Sequence, residues 1–416
     1  LPEKINFVII SIKLEFSSLG GEIMELNVTQ AFSIVLLILA VGELVSMKTK
    51  AMIPSVFVSA VLFIIGFWTI LPGDVVAQSS FAKPVVYLSM YLLLTHMGTL
   101  MSLKELLSQW KTVVIALGGI VGIIILTLTI GNLLFGWENV VAATPPLTGG
   151  VVASILMSTA AAERGLTSIA VLATAMYVIQ GFFGYPITSF LLKKEANRLA
   201  DKVRNGEIEI NKSEASEVKE EESSFRIIPP LPEKYQTTYV ILFKLGIVAA
   251  LSVAAAPILH LNEFVVCMLF GVIGREIGFL EEKALVKSGS FGFLITVLMA
   301  FIFAGLSDAT PEMLTEIAVP LFGIIILGLS GMALVSALIG KAFGYTKEMS
   351  ISIAMTALYG FPPNYILTIE SARASTKNDD EYQYAVDEML PKMLVGGFTT
   401  VTIASVIIAG FFVKLL

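Results

Sequence analysis

The chain is poor in the residues that build most catalytic and metal centres. It has one cysteine, Cys267, and two histidines, His96 and His260, in 416 residues. A single thiol excludes a disulfide framework and any multi-thiolate metal site. Two histidines leave no HExxH or other histidine-rich metal motif. No Gly-x-Ser-x-Gly nucleophile motif is present either, so an enzyme is not expected. Charge is scarce as well. Asp, Glu, Lys and Arg make up 14% of the chain, against about 25% in an average soluble domain. The formal net charge of −6 carries little information, because in a membrane protein the placement of basic residues in the loops decides orientation. No nucleic-acid partner is expected.

What fills the chain is apolar. Hydrophobic residues reach 56% and the mean hydropathy is +0.85. They come as long runs rather than as scattered core positions. The run Val113–Leu134 is apolar on every face, which only lipid or a protein interior tolerates. Spans fall roughly at 29–46, 54–71, 83–101, 112–134 and 167–192, then at 237–257, 264–280, 289–307, 318–341 and 390–413. Each lies near the ~20 residues a bilayer requires. Two further apolar segments, 139–163 and 349–373, are broken in the middle. Residues 1–23 precede Met24, hold no segment long enough to span, and read as an extension outside the architecture. The stretch 193–236 is rich in Lys and Glu, with KEEE at 219–222 and PPLP at 229–232. It reads as a cytoplasmic linker, helical at its start, between repeat 1 (24–192) and repeat 2 (237–416).

The two halves echo each other at an offset of about 208. The stretch beginning Phe57 and ending Gly66 resembles Val265 to Gly274, and Gly98-Thr99-Leu100 falls opposite Gly305-Leu306. Phe135-Gly136-Trp137 falls opposite Phe343-Gly344-Tyr345, and the Pro/Gly cluster at 145–150 opposite that at 358–363. Basic residues then set topology. Lys48 and Lys50, Lys104 and Lys111, the cluster Lys193 to Arg204, and Arg275, Lys283 and Lys287 can share one side only if 139–163 does not cross the membrane. That segment therefore reads as a re-entrant hairpin from the outside, and 349–373 as one from the cytoplasm. Five crossings plus one hairpin per half make the repeats inverted, with both termini outside. The expected fold is thus an all-α integral membrane protein of two inverted repeats, each of five transmembrane helices and one re-entrant hairpin.

The hairpin centres carry the chemistry. Pro145-Pro146 with Gly149-Gly150, and Gly360 with Pro362-Pro363, interrupt the helical ladder and free backbone N–H and C=O groups. A half-helix of about ten residues rises ~15 Å and brings its tip to the bilayer midplane. Half-helix N-termini favour an anionic group and freed carbonyls a cation, the design of inverted-repeat secondary transporters. Thr148, Gly149, Gly150 and Ser154 in one tip, with Gly360 and Asn364 in the other, are the candidate substrate ligands. Thr144 and Thr356, just before the tips, are candidate sodium ligands through their hydroxyl oxygens. The alternative is that both segments are kinked spanning helices. His96, deep in the third span, is either a ligand or a histidine hydrogen-bonded between helices. Gly396-Gly397 permits close helix packing.

At these residues the chain resembles the sodium/glutamate symporter family and, more distantly, the 2-hydroxycarboxylate transporters. The layout from Met24 to Leu416 is similar. Leu147-Thr148-Gly149-Gly150 matches the family's motif at its first hairpin. Ala162-Glu163-Arg164-Gly165 and Ala173-Thr174 through Gly184-Tyr185-Pro186 look like the helix that follows. Gly360-Phe361 and Pro363 match its second hairpin. The tips depart from the family at Val151-Val152 and at Phe361-Pro362-Pro363-Asn364. The resemblance implies a sodium-coupled symporter of a small anionic or amino-acid-like metabolite in a bacterial inner (cytoplasmic) membrane. It further implies a homodimer and an elevator movement of the hairpin domain against a scaffold. An exporter, a proton-coupled carrier or an uncoupled carrier of a small organic acid is the alternative on the same fold.

Overall fold

The computed structural model describes residues 26–100, 104, 108–208, 226–229, 231–259, 261, 263–308 and 310–416. The extension 1–23, His260 and linker residues 209–225 lie outside them. Among the described residues every regular element is helical. The first half holds α1 (Val28–Lys48), α2 (Ser55–Thr69), α3 (Val75–Gln78), α4 (Lys83–Gly98), α5 (Trp110–Phe135), α6 (Trp137–Glu163) and α7 (Thr167–Arg204). The second holds α8 (Thr238–Leu259), α9 (Glu263–Glu276), α10 (Ala284–Lys287), α11 (Phe291–Ala304), α12 (Pro311–Ala342) and α13 (Lys347–Met355). It ends with α14 (Pro363–Ser375), α15 (Asp379–Phe398) and α16 (Ser405–Phe412).

Five of the described helices are long and apolar enough to cross a membrane: α1, α5, α7, α8 and the part of α12 from Ile317 to Ala342. The sequence reading placed about ten full spans. The remainder include α2 and α11, which are apolar but shorter. A 15-residue helix such as α2 rises only about 22 Å, below the ~30 Å hydrocarbon core. Helix α7 runs past the expected end near 192 to Arg204. Its buried face continues through Leu192, Glu195, Ala196, Leu199 and Ala200, so packing carries the helix into the stretch read as linker.

The helices sort into two bundles. Helices α1–α4 pack with α8–α11, and α5–α7 pack with α12–α16. The seam between them is crossed chiefly where α7 and α14 meet α2. Each bundle takes elements from both halves of the chain. In the first, α4 crosses α9 so closely that a Cβ on Gly98 would lie 2.3 Å from Met268 O, and one on Gly271 2.1 Å from Thr95 O. In the second, α5 and α12 cross at Gly122 and Gly331, each of which would drive a Cβ into the other's carbonyl. Phe135 at the end of α5 lies over Gly323 near the start of α12, and Phe343 beyond the end of α12 stacks edge-on against Trp110 at the start of α5. The two helices are therefore antiparallel, and the residues at their crossing stand apart by nearly the repeat offset.

His96 resolves as a fastener. Its Nδ1 accepts the N–H of Leu285 at 3.2 Å and its ring meets Phe291. It ties α4 to the short helix α10 inside the first bundle, and Phe291 in turn packs edge-on against Tyr365 of α14.

Candidate substrate site at the two helix breaks

Each broken segment starts and ends at one end of a neighbouring helix. At the start of α6, Trp137 Nε1 donates to Leu415 O at 3.1 Å, and just past its end Arg164 donates to Val413 O at 3.0 Å. These carbonyls belong to the last turn of the chain, where a helix leaves its C=O groups unpaired. Between those ends α6 breaks at Gly149 and Gly150. Gly149 is extended (φ 166°, ψ 65°), and Gly150 adopts φ 87°, ψ −172°, a conformation open to glycine. The break lies against the middle of the same final helix. A Cβ on Gly149 would sit 2.4 Å from Ser405 Cβ and 2.7 Å from Thr400 O. From Val413 back to Ser405 the helix falls about 12 Å.

The second segment behaves alike against α7. Thr346 caps α13 and its Oγ1 also donates to Glu195 at 2.8 Å, while Ser375 at the end of α14 donates to Lys193 O at 3.4 Å. The helix stops at a short 3-10 turn, Thr356–Leu358, and Gly360 takes φ 59°. Pro363, at the first position of α14, lacks an N–H where none is needed. Tyr359, at the break, donates to Thr188 at 2.8 Å and packs on Gly184, both on α7.

The two breaks converge on one stretch. Cβ atoms on Gly150 and Gly360 would lie 2.9 Å and 3.0 Å from the two methyl carbons of Val401. Val401 belongs to a π-helical turn, Thr399–Ala404, that interrupts the run from α15 into α16. Such turns loosen the backbone ladder and recur at functional sites. Gly396 and Gly397 let α15 approach: Gly396 abuts Ile353 and Thr356, and Gly397 abuts Asn364.

The predicted residues divide accordingly. Gly149, Gly150, Gly360, Thr356 and Asn364 meet along 393–405. Asn364 is fully buried, and its amide is committed: Nδ2 donates to Met393 O at 3.0 Å and Oδ1 accepts from Tyr365 N at 2.7 Å. Thr148 Oγ1 donates to Pro145 O at 2.8 Å, Thr356 Oγ1 to Ile353 O at 2.6 Å, and Thr144 Oγ1 to Thr127 Oγ1 at 2.9 Å. Each of these hydroxyls keeps lone pairs for a cation, although Thr144 faces α5 rather than the other break. Ser154 turns away, to Ala173 O on α7. No group of three His, Cys, Asp or Glu that could hold a metal occurs among the described residues, so an ion here would be held by hydroxyl and backbone oxygen. The sequence reading missed Thr400 and Val401. Their signal was the hydroxyl-rich run Thr399-Thr400-Val401-Thr402 following two glycines inside an apolar span.

Away from Gly149, Gly150, Gly360 and Val401, none of which lines it, the seam between the bundles opens into a cavity of about 1210 Å³. Its charged lining is Glu43, Lys50, Arg204, Glu370, Arg373 and Lys377, four bases to two acids. Across the seam, Glu370 on α14 accepts from Ser46 Oγ at 2.9 Å and Ser55 N at 3.2 Å on the first bundle.

The description "sodium/glutamate symporter" belongs to the family whose pattern matches residues 24–352. The chain is a member of the sodium/glutamate symporter family. With its long apolar helices this makes it a multi-pass membrane protein. The match contains the first break and ends within α13, before Gly360. No curated protein matches the chain.

Proposed function

We propose that this protein is a sodium-coupled symporter of a small anionic or amino-acid-like metabolite, working by an elevator movement. The observation that carries the reading is the meeting of Gly150 and Gly360 on Val401. Two helix breaks, from segments that each return to the end where they began, face one π-helical turn. Freed amides favour a carboxylate, and freed carbonyls with the hydroxyls of Thr144 and Thr356 favour sodium. On this reading both segments are re-entrant hairpins, with Thr148, Gly149, Gly150, Gly360 and Asn364 around the substrate and Ser154 behind the tip. The antiparallel crossing of α5 and α12 at Gly122 and Gly331 supports inverted repeats. Membership of the sodium/glutamate family supports sodium as the coupling ion.

The division into two bundles supports the elevator. They meet where α7 and α14 reach α2 and where Leu394 and Phe398 share an apolar cluster with Leu94, Met97, Cys267 and Met268. The protein sits in a bacterial inner membrane with the Lys48, Lys50 and Lys193 end cytoplasmic and both termini outside, and the α1–α4 and α8–α11 bundle forms the scaffold of a homodimer. The decisive experiment is uptake of radiolabelled amino and carboxylic acids into proteoliposomes under imposed gradients. Uptake driven by sodium is expected. Uptake driven by protons alone, or indifferent to both, overturns the coupling and leaves the proton-coupled, exporting or uncoupled alternative. Separately, bridging Ser46→Cys to Glu370→Cys with mercury is expected to stop uptake reversibly. Uptake that continues across a formed bridge overturns the elevator.

A further inference from the structure

Gln180 is fully buried in α7. Neither Nε2 nor Oε1 of its amide has a hydrogen-bond partner. The other buried side chains with an unpaired atom differ. Gln78 uses its other amide atom on Asp74, Glu281 pairs with Lys244, Arg275 pairs with Glu282, and Ser371 leaves a single hydroxyl unpaired. Among the described buried side chains Gln180 alone has both ends of a carboxamide idle. Burying a donor and an acceptor without partners costs their hydration and returns nothing. Such a group persists where something else supplies the partners.

Its position says what that is. Ala173, Gly184 and Thr188 lie on the side of α7 that carries Gln180, at helical spacings of seven, four and eight. Ala173 belongs to a buried cluster with Phe412 and with Val141, Ala142 and Met157, from both legs of the first broken segment. Gly184 packs against Leu358 and Tyr359 at the second break, and Thr188 holds the Tyr359 hydroxyl. Gln180 lies between, about 10 Å along the helix from Ala173 and about 6 Å from Gly184. Gln180 therefore stands on α7 between the levels at which the two broken segments pack.

We infer that Gln180 is a specificity-determining residue that reads the head group of an α-amino acid, its Nε2–H donating to the carboxylate and its Oε1 accepting from the ammonium. The inference rests on the proposed substrate site. A carboxamide offers one donor edge and one acceptor edge side by side. An α-amino acid presents the complement, an acceptor carboxylate one carbon from a donor ammonium. A plain dicarboxylate satisfies Nε2 but leaves Oε1 buried and unpaired, the condition under which polar sites reject an analogue most strongly.

The test uses the full-length protein in proteoliposomes with L-glutamate and L-aspartate against glutarate and succinate, and compares Gln180→Leu and Gln180→Met with wild type. Wild type is expected to favour the amino acids. Both variants are expected to melt at or above the wild-type temperature without substrate, since an apolar side chain replaces idle polar atoms. Both should lose about 10- to 100-fold in apparent affinity for the amino acids, with little change for the diacids. Variants that melt lower or do not fold, or that keep wild-type selectivity, overturn the inference, because the amide is then held by internal water or matters only to packing. Sodium-driven uptake of the diacids with no preference for amino acids also overturns it and leaves the symporter intact. Absence of gradient-driven uptake of any of the four by wild type sinks the symporter reading for this substrate class, and the inference with it.

Discussion

The two broken segments solve one problem with different means. The first, 137–164, hangs its ends on main-chain carbonyls of the final turn, Leu415 O and Val413 O. The second, 346–375, hangs its ends on α7 at Glu195 and Lys193, and the turn that follows is held by Arg204 with Glu381. Each segment thus leans on the last helix of the opposite half of the chain. The first break packs on the second half alone at Ser405, Thr400 and Val401, whereas the second rests on its own half at Val401 and Met393 and on α7 at Thr188. The breaks differ too. Gly149 is wedged against helix backbone, whereas Gly360 faces the mobile methyls of a valine. The anchors differ in chemistry: carbonyls do not titrate and carboxylates do.

The sharpest way to separate the two breaks is a methyl group on each. Gly149→Ala places it 2.4 Å from Ser405 Cβ and 2.7 Å from Thr400 O, and neither can move without the final helix. A cost of about 3 kcal/mol and abolished uptake are expected, read by melting in detergent and by transport. Gly360→Ala meets Val401 at 3.0 Å with φ at 59°, and about 1–2 kcal/mol with reduced uptake is expected. Equal losses at the two sites would break the contrast. Next come the polar fasteners near each tip. Asn364→Leu removes the side-chain bonds to Met393 O and from Tyr365 N, which keeps its bond to Pro362 O, for about 1–2 kcal/mol, whereas Ser154→Ala removes one hydrogen bond to Ala173 O, for about 1 kcal/mol.

The anchors are compared by pH. The Arg204 guanidinium and the Lys377 N–H beside Glu381 hold its carboxyl below the usual glutamate range. A depressed carboxyl stabilises the fold fully above the pKa it has when unfolded, and the contribution is lost as pH falls through the folded value. Glu381→Gln should therefore lower the melting temperature at pH 7 and flatten its decline below about pH 4.5. Trp137→Phe, at the anchor of the first segment, should lower melting by a smaller amount that is the same at both pH values. A pH-dependent effect of Trp137→Phe would refute the assignment of its partner as a carbonyl.

Much of the site was legible in the chain before folding. Pro145-Pro146, Gly149-Gly150, Gly360 and Pro362-Pro363 mark the breaks, because proline and glycine act on their own backbone whatever surrounds them. The elements that close the site were less legible. The π turn at Thr399–Ala404 follows residues that read as an ordinary apolar helix. Gln180 looks in sequence like one polar residue in a long span, and Asn364, a tip residue by sequence, spends its amide on Met393 O. The linker reads as helical at its start, and the structure carries that helix to Arg204 because its period-3.6 face, Leu192 to Ala200, packs.

The sequence by itself determined that the chain is membrane-borne and broken twice, since hydropathy and helix-breaking residues are local properties. Only the tertiary structure decided which helix each break rests on, that both breaks face Val401, and that Gln180 lies buried with its amide unpaired. Those facts depend on contacts such as Gly150 with Val401 and Tyr359 with Thr188, far apart in the chain, and no local pattern encodes which distant surface a helix will meet.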